Sequence, residues 1–161
     1  MKIRDQIDKE FRDKGLPEPR KPKLDGSELF EILEHISTIS DTDVVNYQAQ
    51  LNAWFNYYIY QTVKKKHEII ELEDEFNEVL YREMDLIDSK LYKTVGERTA
   101  KALDQNEKLK EIKTELNLQR EKHRRLEALE KIFDKTLYTV SREITRRIEI
   151  IRGRDGNYGH N

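Results

Sequence analysis

The sequence lacks cysteine and is poor in proline and glycine, and each shortage excludes something. Without cysteine there are no disulfides, no thiolate chemistry and no cysteine-bound zinc. Between Gly26 and Gly153 the chain has no proline and a single glycine, Gly96. Because proline costs about 3 kcal/mol in a helix interior and glycine about 1 kcal/mol relative to alanine, this stretch is predicted to form long helices. Long helices leave few loops in which to build a catalytic pocket.

Long apolar runs are also missing. Only 36% of the residues are hydrophobic and 39% are charged, against about 25% charged in ordinary globular proteins. No run approaches the roughly 18 apolar residues of a membrane span, and the residues after Met1 have no apolar core of the kind that secretion requires. Helices that are polar on most sides need a partner helix over their apolar stripe, so we expect a homo-oligomer.

Hydrophobic spacing and turn residues divide the chain into three segments. We expect an amphipathic N-terminal arm with a proline-rich linker (1–26), a helical body (27–152) and a disordered tail (153–161). Within the body the predicted helices cover residues 28–38, 42–90 and 95–152, approximately. The predicted fold class is therefore all-α, with long coiled-coil-like helices arranged as a helical hairpin.

Two helix starts carry capping signals, and the apolar stripe has polar gaps. Ser40 begins a run of short oxygen-bearing side chains, and Thr94 with Glu97 has the spacing of a capping box. Lys65 stands where the stripe predicts an apolar residue, so either a polar turn faces inward there or the register shifts. Gln119 and His123 are further gaps, which either fix the register of a helix pair or mark a local bend.

The last predicted helix contains the most regular apolar series. Its members recur at threes and fours in an 11-residue period, which favours straight or slightly right-handed packing. We predict that this series mediates oligomerisation, and its members are Leu126, Leu129, Phe133, Leu137, Val140, Ile144, Ile148 and Ile151.

Charge is segregated along the chain despite a net value of only −2. Residues 1–23 carry a net +3, residues 24–100 a net −9 and residues 101–161 a net +4. Non-specific binding to nucleic acid requires local clusters of lysine and arginine. Three clusters are candidates. They are Arg120, Lys122, Arg124 and Arg125, then the C-terminal Arg142, Arg146, Arg147, Arg152 and Arg154, and thirdly Lys64, Lys65 and Lys66. The alternative is a solvated helix face with ion pairs four residues apart, such as Glu143 with Arg147.

Five aromatic residues lie close together in the second predicted helix: Trp54, Phe55, Tyr57, Tyr58 and Tyr60. Exposed rings would stack on unpaired bases, at about 1–3 kcal/mol per base. A helix spreads these rings around its circumference, however, so we expect most of them to pack in the core. Tyr60 is the best candidate for an exposed ring.

Signals for catalysis are missing from the sequence. The four histidines are isolated, the carboxylates fall on helix faces predicted to be exposed, and there is no glycine-rich phosphate loop. A carboxylate ladder at Glu68, Glu71 and Glu75 has nothing that separates it from ordinary surface charge. We therefore expect no enzymatic activity, no cofactor and no metal site.

The segment from Asp41 to Arg147 resembles the UvsY family of phage recombination mediators. The resemblance rests on a threonine-aspartate start, a Tyr-x-Ala-x-Leu-x-x-Trp stretch, a lysine pair and a final helix with arginine-containing polar turns, carried by Thr42, Asp43, Tyr47, Ala49, Leu51, Trp54, Lys65, Lys66 and the run from Leu126. It implies a ring-like homo-oligomer that binds single-stranded DNA and helps a RecA-like recombinase displace the single-strand-binding protein during recombination, repair and replication. It also implies a cytoplasmic location, in the bacterial host if a phage encodes the chain.

One stretch departs from the family pattern. Such mediators are expected to have a basic cluster after the lysine pair, but here EDEFNEVLYREMD has Arg82 as its only basic residue. Arg82 is therefore the one DNA-binding candidate of this stretch, and we expect the DNA contact to have moved to Lys64, Lys65 and Lys66 or to the C-terminal arginines. Alternatively, the acidic stretch docks a basic partner. The alternative function is a coiled-coil structural or assembly scaffold that binds no nucleic acid.

Overall fold

The computed structural model describes Lys9, residues 20–23 and residues 26–156, and within these it contains four α-helices and no β-strand. The helices are α1 (Gly26–Glu34), α2 (Asp41–Asp85), α3 (Val95–Gln105) and α4 (Glu107–Gly156). The all-α fold class is confirmed. The predicted amphipathic arm, apart from Lys9, and the end of the predicted tail lie outside the described residues.

Both predicted capping signals are confirmed. The Ser40 hydroxyl accepts a hydrogen bond from the Asp43 amide at 3.1 Å, at the start of α2. Thr94 and Glu97 form a capping box at the start of α3, in which the Thr94 hydroxyl accepts from the Glu97 amide at 3.1 Å and the Thr94 amide donates to the Glu97 carboxylate at 3.0 Å. The hydrogen bond from the Thr94 amide lowers the pKa of Glu97, since it favours the charged carboxylate.

Several helix boundaries differ from the prediction. The helix α1 ends at Glu34 and α2 at Asp85, both a few residues early. The predicted helix over 95–152 is interrupted at Asn106, whose backbone is extended (φ −111°, ψ 109°). Its side chain accepts from the Leu109 amide at 3.1 Å and thereby caps α4. At the other end α4 continues to Gly156, because glycine costs a helix only about 1 kcal/mol.

The described residues form two compact units, which we call unit A (Lys9 and 61–125) and unit B (20–23, 26–60 and 126–156). In unit A a small apolar core joins the end of α2 to α3 and to the start of α4. Its buried members are Leu80, Met84, Ala102 and Leu109. The Asn106 amide group also donates to the Glu83 carboxylate at 2.7 Å, which ties the cap of α4 to α2.

In unit B, α1 and the first half of α2 pack against the second half of α4. The buried core consists of Leu29, Val44, Tyr47, Leu51, Trp54, Phe133 and Val140. Trp54 stacks on Tyr58 (centroids 5.5 Å apart) and on Phe133 (6.2 Å), as expected for core packing. The expectation for Tyr60 was wrong, since it is only 8% exposed. The apolar stripe does not predict this burial, because Tyr60 lies nine residues after Leu51 and hence on roughly the opposite side of α2.

The predicted oligomerisation series is largely used inside unit B. Phe133 and Val140 are buried in its core, and Leu137 and Ile144 pack against that core. Leu126 and Leu129 are half-buried, whereas Ile148 and Ile151 at the end of the series are exposed. The partner helix that the series requires is therefore mostly supplied by the same chain.

Candidate nucleic-acid interface

The lysine cluster on α2 is divided between the interior and the surface. Lys65 is half-buried in unit A, where its ammonium group donates to the Gln119 side-chain oxygen at 2.8 Å and to the Glu68 carboxylate. The polar gaps at Lys65 and Gln119 thus face each other, and the inward polar turn is the correct alternative. Lys64 is half-buried as well, so Lys66 is the exposed member of the cluster.

Arg82 lies on an acidic surface of unit A. Its guanidinium pairs with Glu78, one turn earlier on α2. Neighbouring carboxylates of α2 pair with α4, Glu73 with Arg120 and Glu75 with Lys108 at 3.0 Å. Part of the negative charge that was expected to dock a basic partner is thus paired within the chain.

Arg147 is held at the connection between α1 and α2. Its guanidinium donates to the backbone carbonyls of Ile36 (2.6 Å) and Ile39 (2.9 Å), to Asp41 (2.7 Å) and to Glu143 (2.8 Å). Its side chain is only 14% exposed. These contacts satisfy carbonyls of the turn between α1 and α2, and they make Arg147 an unfavourable candidate for a phosphate contact.

Glu143 holds two arginines at once. Its carboxylate accepts from Nε and a terminal nitrogen of Arg146, both at 2.7 Å, and from Nε of Arg147. These hydrogen bonds, from Arg146 first and Arg147 second, lower the pKa of Glu143 to about 2. Arg146 remains 54% exposed while held in this way. Its guanidinium is thus fixed in position and still accessible to a ligand.

A line of exposed side chains follows α4 on the face away from the core of unit B. We call it the basic ridge, and its members are Lys131, Lys135, Tyr138, Arg142 and Arg146. They are separated by four, three, four and four residues, so they lie on one face of the helix. The same spacing brings Phe133 and Val140 to the opposite, buried face. The ridge therefore presents four cations and one aromatic ring to solvent.

Tyr138 is the central member of the basic ridge. It is 66% exposed, and the guanidinium carbon of Arg142 lies 5.9 Å from the centroid of its ring. An open groove of about 780 Å³ runs beside the pair, with Thr139 and Thr145 in its lining. Proteins that bind single-stranded nucleic acid combine cations along the backbone with aromatic rings on which bases stack. The ridge has both features.

Sequence reasoning missed Tyr138, Lys131 and Lys135. The spacing of four residues between Tyr138 and Arg142 indicates that the two side chains are neighbours on α4. The prediction of stacking rings considered only the dense aromatic segment around Trp54 on α2. In the structure Trp54 and Tyr60 are buried, whereas Tyr138 is exposed and has the Arg142 guanidinium against its ring.

The part of the chain that the structure describes contains no group of three or more histidine, aspartate or glutamate side chains suited to a metal ion. Among the same residues, no helix has the length and apolar character needed to cross a membrane. No protein-family model, curated protein or solved structure matches the chain. The resemblance to the UvsY family accordingly stays a prediction from the sequence.

Proposed function

We propose that the protein is a non-enzymatic recombination mediator that binds single-stranded DNA and assists a RecA-like recombinase in displacing a single-strand-binding protein. The observation that carries the DNA-binding part is the basic ridge on α4. The rest of the proposal comes from the resemblance described above. It covers the recombinase, the competing single-strand-binding protein and assembly into a homo-oligomer. It also covers action in the cytoplasm, which is that of the bacterial host if a phage encodes the chain.

Single strands are the favoured ligand for a physical reason. The four cations of the ridge release counterions when they contact phosphates, which favours the binding of any polyanion. They are Lys131, Lys135, Arg142 and Arg146. Tyr138 adds something that duplex DNA does not use, since a ring stacks on a base only when the base is unpaired. From residue 131 to residue 146 the ridge is about 22 Å long, at 1.5 Å per helical residue, which is enough for several nucleotides.

A second candidate function is a structural or assembly scaffold that binds no nucleic acid. The end of α4 favours it, since Ile148, Ile150 and Ile151 are exposed where the apolar series continues beyond the core of unit B. The scaffold hypothesis predicts an oligomer whose size is unchanged by DNA. The mediator hypothesis predicts binding that weakens steeply with salt.

The test is a fluorescence anisotropy titration of a labelled single-stranded oligonucleotide at several salt concentrations. We expect Tyr138→Ala to weaken binding by about 1–3 kcal/mol, the usual value of one stacked base. We expect Arg142→Ala to reduce the slope of log affinity against log salt by about 0.7. Tyr81→Ala is the matched control, because Tyr81 is 64% exposed on α2 in unit A. No binding at low salt, or equal losses for Tyr138→Ala and the control, would refute the proposal.

A further inference from the structure

A second basic segment lies outside the helices. Residues 20–23 read Arg20-Lys21-Pro22-Lys23, and all three cations are exposed. No acidic residue interrupts them. Neither the ridge on α4 nor the lysines of α2 include this segment, so its charge has no role in the function proposed above.

The segment contacts the core of unit B through Lys21. The Lys21 ammonium group lies 5.9 Å from the centroid of the Trp54 ring. Trp54 is buried and stacks on Phe133, so the ring that receives Lys21 is itself fixed. A cation over the face of a tryptophan is the most favourable form of this interaction.

The covalent structure adds rigidity to the contact. Pro22 fixes its own φ near −65° and disfavours a helical conformation for Lys21. The segment is described as irregular, outside any helix. Since its backbone is restricted and one of its side chains is anchored on Trp54, Arg20 and Lys23 lose less conformational entropy when they bind a ligand.

We propose that residues 20–23 form a second binding site for single-stranded nucleic acid, in which Lys21 anchors the segment on Trp54 while Arg20 and Lys23 contact phosphates. The proposal deepens the function proposed above and rests on it, since the ligand is the same. We call this site the linker site. Within it Lys21 is a positioning residue, and Arg20 and Lys23 contact the phosphates.

The first experiment removes the two contacting cations. We expect Arg20→Ala/Lys23→Ala to lower the slope of log affinity against log salt by about 1.4, twice the value for one contact with a single strand. If the affinities are equal at 1 M salt, this change corresponds to a loss of about 25-fold in affinity at 0.1 M salt. The matched control is Lys90→Ala/Lys93→Ala, which also removes two exposed cations three residues apart outside the helices. A slope equal to that of the control would overturn the proposal.

The second experiment tests the anchor. Trp54 is the only tryptophan, so all tryptophan fluorescence comes from the ring that Lys21 contacts. We expect Lys21→Ala to increase quenching of Trp54 by acrylamide and to weaken oligonucleotide binding less than the double variant does. Quenching equal to that of the wild type would overturn the role of Lys21.

The variants separate this proposal from the one it rests on. If the wild type binds and the ridge variant Tyr138→Ala/Arg142→Ala is weakened but Arg20→Ala/Lys23→Ala is not, the linker site is refuted and the ridge stands. The reverse pattern refutes the ridge and supports the linker site. A wild type that binds no oligonucleotide refutes both. If Arg20→Ala/Lys23→Ala loses only its binding to phosphatidylserine vesicles, the segment binds membranes and the nucleic-acid site is refuted.

Discussion

Unit A and unit B hold their helices together in different ways. In unit B, aromatic and aliphatic side chains of α1, α2 and α4 form one buried cluster, with Trp54 stacked on Phe133. In unit A the apolar core is smaller, and α2 also contacts α4 through polar pairs such as Lys65 with Gln119 and Glu73 with Arg120. Salt screens exposed ion pairs, whereas it does not screen the burial of apolar side chains. The stability of unit A should therefore depend more on salt concentration than the stability of unit B does.

The same comparison applies to the charges. Unit A pairs several of its carboxylates with its own lysines and arginines. Unit B instead has an exposed basic ridge on the helix face opposite its core. A polyanion is therefore expected to bind unit B rather than the stretch around Arg82 in unit A.

The largest expected effect is in the core of unit B. We expect Phe133→Ala to lower the free energy of unfolding by about 3–5 kcal/mol, because it removes a buried ring and leaves a cavity among Trp54 and Tyr58. Urea unfolding followed by Trp54 fluorescence measures this change. Ile132→Ala, at the adjacent exposed position, is the control and should cost less than about 1 kcal/mol. Similar losses for the two variants would contradict the described core.

The second effect concerns the polar contact in unit A. We expect Lys65→Met to cost about 1–3 kcal/mol, because it leaves the buried side chain of Gln119 without the donor that faces it. The double variant Lys65→Met/Gln119→Leu should recover part of this loss, since two apolar side chains can replace a polar pair, whereas the contact of Lys65 with Glu68 stays lost. Thermal unfolding followed by circular dichroism measures both. Additive losses would show that the two side chains do not interact.

A smaller effect is expected from pH. The pKa of Glu143 is about 2 in the folded protein, below its ordinary value of 4.5, because Arg146 and Arg147 donate hydrogen bonds to it. A depressed carboxyl pKa contributes stability that is fully present above pH 4.5 and is lost as the pH falls towards 2. Glu143→Gln should therefore destabilise the protein at pH 6 and show a weaker loss between pH 4.5 and 2. Urea midpoints across this range test it, and parallel curves for the two proteins would contradict it.

The smallest effect is expected at the exposed ion pairs of unit A. Arg120→Ala removes the partner of Glu73 and should cost about 0.2–1 kcal/mol at low salt. Because screening weakens the pair in the wild type, the difference should shrink at 1 M salt, where the Debye length is about 3 Å. A difference that is unchanged by salt would show that Arg120 acts through packing.

Local signals in the sequence were sufficient for much of the fold. Missing prolines predicted the helices, and the oxygen-bearing side chains of Ser40 and Thr94 predicted two helix starts. Asn106 was overlooked because no glycine or proline marks it, although asparagine is a favoured cap. Periodicity identifies an apolar face but does not show which partner covers it, so residues such as Phe133 were predicted to bind a second chain.

The candidate site was harder to predict for a related reason. Charge spacing identified Arg142, Arg146 and Arg147 together, but only tertiary contacts distinguish them. Arg147 is bound to carbonyls of Ile36 and Ile39, while Arg142 lies against an exposed ring. A linear pattern does not show which cations of a cluster are occupied by the fold.

The most direct test of the account is photo-crosslinking of the full chain to a single-stranded oligonucleotide that carries bromodeoxyuridine, followed by mass spectrometry of the peptides. The account predicts that the main adduct at low salt is on Tyr138, and that it is lost in Tyr138→Ala at the same salt concentration while Tyr81 stays unmodified. Adducts confined to the α2 segment around Tyr81 and Arg82, or no adduct at low salt, would contradict the assignment of the DNA-binding face to the basic ridge.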